Sequence, residues 1–199
     1  MTRVLAVLLL AVLCGAVAHA DQSGDGALVR EFNQGGALAA SYSCMGCHGA
    51  ALKGGTVAGA LYGIEHRLSD DRIKAALLKP TPPMPANQLS GDDLTALVAY
   101  VTHLDGGIDH SLPVVSWSPL TPSDRAVVSV RFPHGLPKGA TAQVIMHMGR
   151  MTHGSDQVPL APGRDPNEGT ATLPFTMGGA WIVIVRYDDR ELDLPLQVN

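Results

Sequence analysis

The chain has 199 residues, a formal charge of −4 and 46% hydrophobic residues. That length suits one large or two small domains. The mild charge, with no run of Lys or Arg, excludes a basic nucleic-acid-binding face, and an acidic balance this small singles out no partner class.

The N-terminus has the pattern of an export signal. Arg3 supplies a positive start, residues 4–17 are nearly all apolar, and Ala18-His19-Ala20 forms an A-x-A cleavage site before Asp21. The apolar run is too short for a membrane span. Residues 1–20 are therefore expected to be a cleaved signal peptide, with a mature chain that starts at Asp21 and works in the periplasm. Cys14 follows Leu13, where a lipoprotein signal wants a small residue, so lipidation is not expected. Processing leaves Cys44 and Cys47, which cannot build a disulfide framework. No second long apolar segment predicts a membrane span in the mature chain.

Residues 21–105 have helical grammar. Leu28, Phe32, Leu38 and Tyr42 are spaced for a helix over 27–43. Gly35-Gly36 weakens it, so the helix is expected to begin after the glycines. It leads into Cys44-Met45-Gly46-Cys47-His48, the pattern of a c-type haem attachment site. Two thiols and one imidazole of a short segment then meet one planar cofactor: Cys44 and Cys47 as thioethers, His48 as the proximal iron ligand. The same residues also fit a redox Cys-x-x-Cys pair or half of a zinc site. Zinc needs further ligands, and no cysteines remain. A redox pair wants a preceding strand in a βαβ frame, which this region lacks.

Further along, Ile73, Ala76 and Leu77 mark a helix over 70–78 that Pro80 ends. Pro82-Pro83-Met84-Pro85 follows. A neutral, soft thioether from Met84 on the other side of the iron would favour Fe(II) and raise the reduction potential, and the flanking prolines lower the entropy lost in holding it. Met84 as apolar filling is the competing reading, and His66 is the competing ligand, set in a segment that reads as solvated surface. Leu52, Val57, Leu61, Ile64 and Leu77 are the expected apolar wall. Lys53, Lys74 and Lys79 read as ordinary surface lysines, with partner docking as the competing role. Ser90 is a helix N-cap followed by Asp92 and Asp93 in the first turn. The helix continues through Leu94, Leu97, Val98, Val101 and Leu104.

Taken together, residues 27–106 resemble a class I c-type cytochrome: a helix feeding CxxCHG, here 44–49, a Met-bearing proline loop, and a terminal helix containing Leu94-Thr95-Ala96-Leu97-Val98-Ala99-Tyr100-Val101. The resemblance implies one covalent haem c with His48 and Met84 as axial ligands. It also implies that Met45 points away from the iron.

Residues 106–124, with Gly106-Gly107 and three prolines, read as a linker. After it the patterns turn to strands, at 126–132, 142–148, 168–175, 180–187 and 192–196, with Asp188-Asp189 as a turn. Residues 125–199 are expected to form a small antiparallel Ig-like β-sandwich. The fold class is thus multidomain α plus β, an all-α cytochrome c domain followed by that sandwich. Met146-His147-Met148, Met151-Thr152-His153-Gly154, Val158-Pro159-Leu160 and Phe175-Thr176-Met177-Gly178-Gly179-Ala180-Trp181 make the second half similar to YtkA-like (FixH-like) domains.

The thioethers and imidazoles of that half also suit copper. Met146, Met148, Met151, His153 and Met177 are the candidate ligands, provided that a bend at Gly149 returns Met151 and His153 to the face of Met146 and Met148. Core filling is the competing reading of these methionines. His110 and His134 read as exposed.

Three functions follow. One is a periplasmic electron carrier, or the electron-transfer subunit of a larger enzyme, with redox partner proteins and a β domain for docking. Another is a copper chaperone or oxidase-assembly factor that uses the haem as reductant. The third, a haem enzyme such as a peroxidase, is disfavoured because a bound Met84 blocks the iron and no distal acid–base group is in view.

Overall fold

The computed structural model describes residues 22–118, 124–148 and 151–198. The expected signal peptide and the Gly149 bend lie outside the described residues. The first half is a small helical region and the second is rich in antiparallel sheet.

Among the described residues the first half has four helices: α1 (Gln22–Ser41), the short α2 (Cys44–His48), α3 (Asp70–Leu78) and α4 (Gly91–Thr102). Single 3-10 turns lie at Ala50–Leu52 and Ile64–His66. The helix α1 does not begin after Gly35-Gly36 but runs through both, because these glycines are contact points. A Cβ on Gly35 would stand 2.0 Å from the carbonyl oxygen of Ala96 and 2.6 Å from Cβ of Tyr100. The two helices therefore meet backbone to backbone, and Phe32 lies edge-on to Tyr100 with ring centroids 4.9 Å apart. The helical propensity lost at two glycines is offset by this close packing. Ser90 occupies the N-cap of α4 with extended backbone but makes no side-chain capping bond. Asp92 and Asp93 do stand in the first turn, where they complement the helix dipole.

Among the described residues the second half has nine strands: β1 (Val114–Trp117), β2 (Asp124–Arg131), β3 (Thr141–Met148), β4 (Met151–Gly154), β5 (Val158–Pro159), β6 (Ala161–Pro162), β7 (Glu168–Phe175), β8 (Gly179–Tyr187) and β9 (Arg190–Val198). One sheet runs β1-β2-β7-β6 and the other β4-β3-β8-β9, with β5 also paired to β3. All pairs are antiparallel. Strand β1 lies inside the stretch read as linker and pairs with β2 as an edge strand. Alternate residues supply the core: Ala126, Val128, Val130, Leu173 and Phe175 from one sheet, Ala142, Val144, Met146, Trp181 and Val183 from the other. Phe175 and Trp181 close one end at a 5.4 Å centroid distance. Asp188 and Asp189 both adopt left-handed backbone, the geometry of a two-residue hairpin turn between β8 and β9.

The two halves form one packed unit. Strand β9 is a sheet edge, and α1 covers it. Asn33 replaces the missing neighbouring strand: its Nδ2 donates to the Glu191 carbonyl at 2.7 Å, and its Oδ1 accepts from the Asp193 amide at 2.9 Å. Next to it, Pro195 brings no N–H to the edge and packs against Gly36, where a Cβ would stand 3.1 Å from its Cδ. Lys53 spans the seam elsewhere, its Nζ 4.9 Å from the ring of Tyr62 and 5.1 Å from that of Trp117. Burial there lowers the Lys53 pKa.

Candidate functional site

The attachment pentad is the helix α2 itself, a single turn entered through Ser43 in left-handed backbone. Residues 49–59 fold back over that turn. The Gly54 amide donates to the His48 carbonyl at 2.7 Å and the Ala58 amide to the Cys47 carbonyl at 3.2 Å. Glycine is required at this approach. A Cβ on Gly49, whose φ is 79°, would stand 1.9 Å from the Gly54 carbonyl oxygen, and one on Gly55 would stand 2.4 Å from the Cys47 carbonyl oxygen.

The returning loop ends by fixing the histidine. His48 Nδ1 lies 2.7 Å from the Gly59 carbonyl oxygen. A carbonyl can only accept, so Nδ1 carries the proton and Nε2 keeps its lone pair for a metal. Cys44 and Cys47 are free, half-buried thiols. Burial pushes the Cys44 thiol up, with a smaller push from Cys47, against a backbone hydrogen bond that lowers it. A redox-active Cys-x-x-Cys pair wants a depressed thiol, so this environment disfavours that reading. The donor set fits a covalent haem: two thiols and one oriented imidazole within one helical turn.

Met84 is half-buried and packs against the apolar core, with its amide bonded to the Thr81 carbonyl at 3.1 Å. Leu52 and Leu77 are buried, and the partly buried Leu61 and Ile64 pack against the core. Val57, expected in the same wall, is 58% exposed. Met45 is buried and lines a cavity of about 200 Å³ at the seam with Asn33, His147, Trp181 and Pro195.

Sequence reading missed a carboxyl pair. His66 is exposed at the surface, 3.3 Å from Asp105 and 3.4 Å from Glu65. The Glu65 side chain is only 4% exposed. Burial, then the hydrogen bond and charge of Asp105, push its pKa up to about 7. Burial works against the Asp105 carboxylate too, but hydrogen bonds from Glu65, the Gly107 amide and His66 hold it below the usual range. The signal was hidden because Glu65 and Asp105 are forty residues apart and meet only where the Ile64–His66 turn packs beside the end of α4.

In the second half, β3 and β4 pair with Met146 opposite His153 and Met148 opposite Met151. Opposed residues share a face and alternate residues do too, so four of the five candidate copper ligands occupy one face of one hairpin. Met177 sits in the β7–β8 connection and packs against the core, while its carbonyl accepts from Trp181 Nε1 at 3.0 Å. His147 points to the opposite face and lies 3.2 Å from Thr152 Oγ1.

Residues 30–101 match the family described as cytochrome C oxidase, cbb3-type, subunit III. That match covers the region holding the pentad and Met84, and it supports a c-type cytochrome domain, which carries covalently bound haem and transfers electrons to redox partner proteins. No curated protein and no solved structure matches the chain. Among the described residues, no helix is long and apolar enough to cross a membrane.

Proposed function

We propose that this chain is a periplasmic monohaem c-type cytochrome in which Cys44 and Cys47 anchor the haem and His48 and Met84 hold its iron. The observation that carries the reading is the bond from His48 Nδ1 to the Gly59 carbonyl, which presents Nε2 from the same turn as both thiols. When bound, the haem supplies a one-electron Fe(II)/Fe(III) couple. The protein's part is positional. The Gly49–Gly54–Gly55 approach clamps the attachment turn, and the Gly59 carbonyl keeps the imidazole in one tautomer. Leu52, Leu61 and Ile64 lower the local dielectric, which disfavours the more positive ferric state. Met84 adds a soft, neutral donor from a proline-stiffened loop. With both axial positions filled, the reading is an electron carrier or electron-transfer subunit and not a peroxidase. The matched family's description names an oxidase subunit. From it this reading takes electron transfer and leaves the donor and acceptor open.

The second half, a YtkA-like domain of Ig-like sandwich form in this reading, serves as a docking module for the redox partner. A second reading is a copper chaperone or oxidase-assembly factor with the haem as reductant. It is favoured by the β3–β4 register, which gathers Met146, Met148, Met151 and His153 on one face.

A redox titration with spectra tests the main reading. Wild-type protein from a maturation-competent host should retain its pigment through acid–acetone extraction and show the weak red ferric band of methionine ligation. Met84→Ala should lose that band and drop in potential while keeping the haem. An unchanged spectrum in Met84→Ala would remove Met84 from the site, and extractable pigment in the wild type would remove the covalent attachment.

A further inference from the structure

We propose that Glu65, His66 and Asp105 form a binding site for one Zn(II) ion, a removable staple that ties the Ile64–His66 turn to the chain just beyond α4. The site is separate from the attachment turn and does not depend on the haem reading.

Two carboxyls and an imidazole converge here from distant parts of the sequence. Gly63, in left-handed backbone with a φ of 67°, opens the 3-10 turn Ile64–His66. That tight turn lets the adjacent Glu65 and His66 both reach Asp105. His66 Nε2 lies 3.3 Å from Asp105 Oδ2 and 3.4 Å from Glu65 Oε1. One donor atom from each of the three residues lies within 4.8 Å of the other two.

These spacings are those of a metal shell. Zinc holds imidazole nitrogen and carboxylate oxygen at ~2.0–2.2 Å, so donors at tetrahedral corners stand about 3.3–3.6 Å apart. Both edges through His66 match. The remaining edge joins two carboxylates, which repel each other until something positive stands between them.

Buried Glu65 is what points to an occupant. Its side chain is 4% exposed, and neither carboxyl oxygen has a hydrogen-bond partner. His66 Nε2 carries at most one proton, and its hydrogen bond goes to Asp105. The guanidinium of Arg67 is engaged by backbone: Nη2 donates to the Ala60 carbonyl at 2.7 Å and Nε to the Gly63 carbonyl at 3.4 Å. An ionised Glu65 thus faces a second carboxylate while shielded from solvent, which is costly unless a proton or a cation is held there. A proton on Glu65 neutralises one carboxylate only. Zinc neutralises both and also uses the imidazole lone pair.

The donors are held ready for it. The Gly107 amide donates to Asp105 Oδ1 at 3.3 Å, which orients the carboxylate and leaves Oδ2 towards His66. The His66 side chain is 55% exposed, so an ion enters from solvent and a water completes the fourth position. The set also selects the ion. Magnesium and calcium want six or more oxygens, whereas one imidazole with two carboxylates suits zinc.

The test is a calorimetric titration of the haem-loaded protein with Zn(II), with bound metal counted after dialysis. Wild type should hold one Zn(II) per chain. His66→Ala, Asp105→Asn and Glu65→Gln should each lose affinity by at least the ~10–100-fold that losing a mere supporting partner costs. His134→Ala, at an exposed histidine in the second half, should bind as wild type does. An unchanged haem spectrum and circular dichroism establish that each variant is folded, and His66→Ala changes an exposed side chain with no core to disturb. Thermal melts give a second readout. Zinc at about a hundred times its dissociation constant should raise the wild-type melting temperature by roughly 5–10 °C. The same zinc should leave the melting of Glu65→Gln where it was. Absence of zinc binding in wild type, or binding that survives all three site variants, would overturn the proposal. So would loss of the ion in His134→Ala, or magnesium or calcium binding as tightly as zinc.

Discussion

The two halves place their chemistry by different means. In the helical half the two thiols and His48 belong to one short turn, and this half is held by backbone approaches that a single methyl group would block: Gly35 on α4, Gly49 against Gly54, Gly55 against Cys47. In the sheet half the candidate donors are assembled by register, so any residue of the right type at 146, 148, 151 or 153 would face the same way. The first arrangement is exact and fragile. The second is tolerant, because moving a donor by two positions keeps its face. A rigid site suits a permanently attached cofactor, and an adaptable one suits cargo that comes and goes.

The sharpest way to break this contrast is Gly35→Ala. The added Cβ would meet the Ala96 carbonyl oxygen at 2.0 Å, a backbone atom that cannot rotate away. The helices α1 and α4 must separate, at a cost of about 3 kcal/mol or more. Denaturant unfolding of the haem-loaded protein should show that loss. An equal loss from an alanine at the exposed hairpin position Met151 would erase the difference between the halves.

A smaller effect is expected at the seam. Asn33→Ala removes both hydrogen bonds to the β9 edge and leaves the Asp193 amide and the Glu191 carbonyl without that partner. The expected cost is about 1–3 kcal/mol. Unfolding followed at the haem band and at the sheet signal should coincide in the wild type and separate in the variant, since the seam is what makes the halves cooperate. Coincident curves in both proteins would mean that the seam does not depend on Asn33.

How much of this was legible follows the same division. Strand alternation is a local signal, so β7 was read with its observed bounds, Glu168–Phe175, and β2, β3, β8 and β9 to within a few residues at their ends. Short edge strands bury few side chains and carry little pattern, so β1, β5 and β6 were not visible, and β1 was hidden in a proline-rich stretch read as linker. In the helical half, α3 was read at its observed bounds, but the glycine pair in α1 was misread. A propensity argument sees the weakness of glycine in a helix, and the helix partner that makes its small size necessary lies sixty residues away, at Ala96 and Tyr100. The pentad was legible as chemistry. The orienting contact of its histidine was not, because a backbone carbonyl at Gly59 leaves no mark in residue identity. The shared face of the copper candidates needed a turn at Gly149 to be guessed, and the pairing of β3 with β4 supplies the register without it.

The carboxyl pair gives the mildest test, and its sign can be worked out. Glu65 has a pKa of about 7 in the folded chain against an ordinary 4.5, because burial and then Asp105 oppose its charge. Above pH 7 it is ionised whether the chain is folded or not, so the folded state carries the full penalty there. As the pH falls from 7 towards 4.5 the folded chain takes up the proton first, and stability rises. Asp105 is shifted the other way, and the stability it contributes is present above its ordinary 3.8 and lost below it, outside this window. The melting temperature of the wild type should therefore decline between pH 5.5 and 8. Glu65→Gln, which keeps a hydrogen-bond donor for Asp105 without a charge to bury, should flatten that slope and melt about 2–4 °C higher at pH 8, the shift expected for roughly 1 kcal/mol in a protein of this size. Identical slopes in the two proteins would mean that the Glu65 carboxyl is solvated in solution. The same measurement on the helical half alone is unnecessary, since the pair bridges the Ile64–His66 turn and the end of α4 and reports only on that half. A flattened slope in Glu65→Gln would thus place the chain's neutral-pH sensitivity in the exact, fragile helical half.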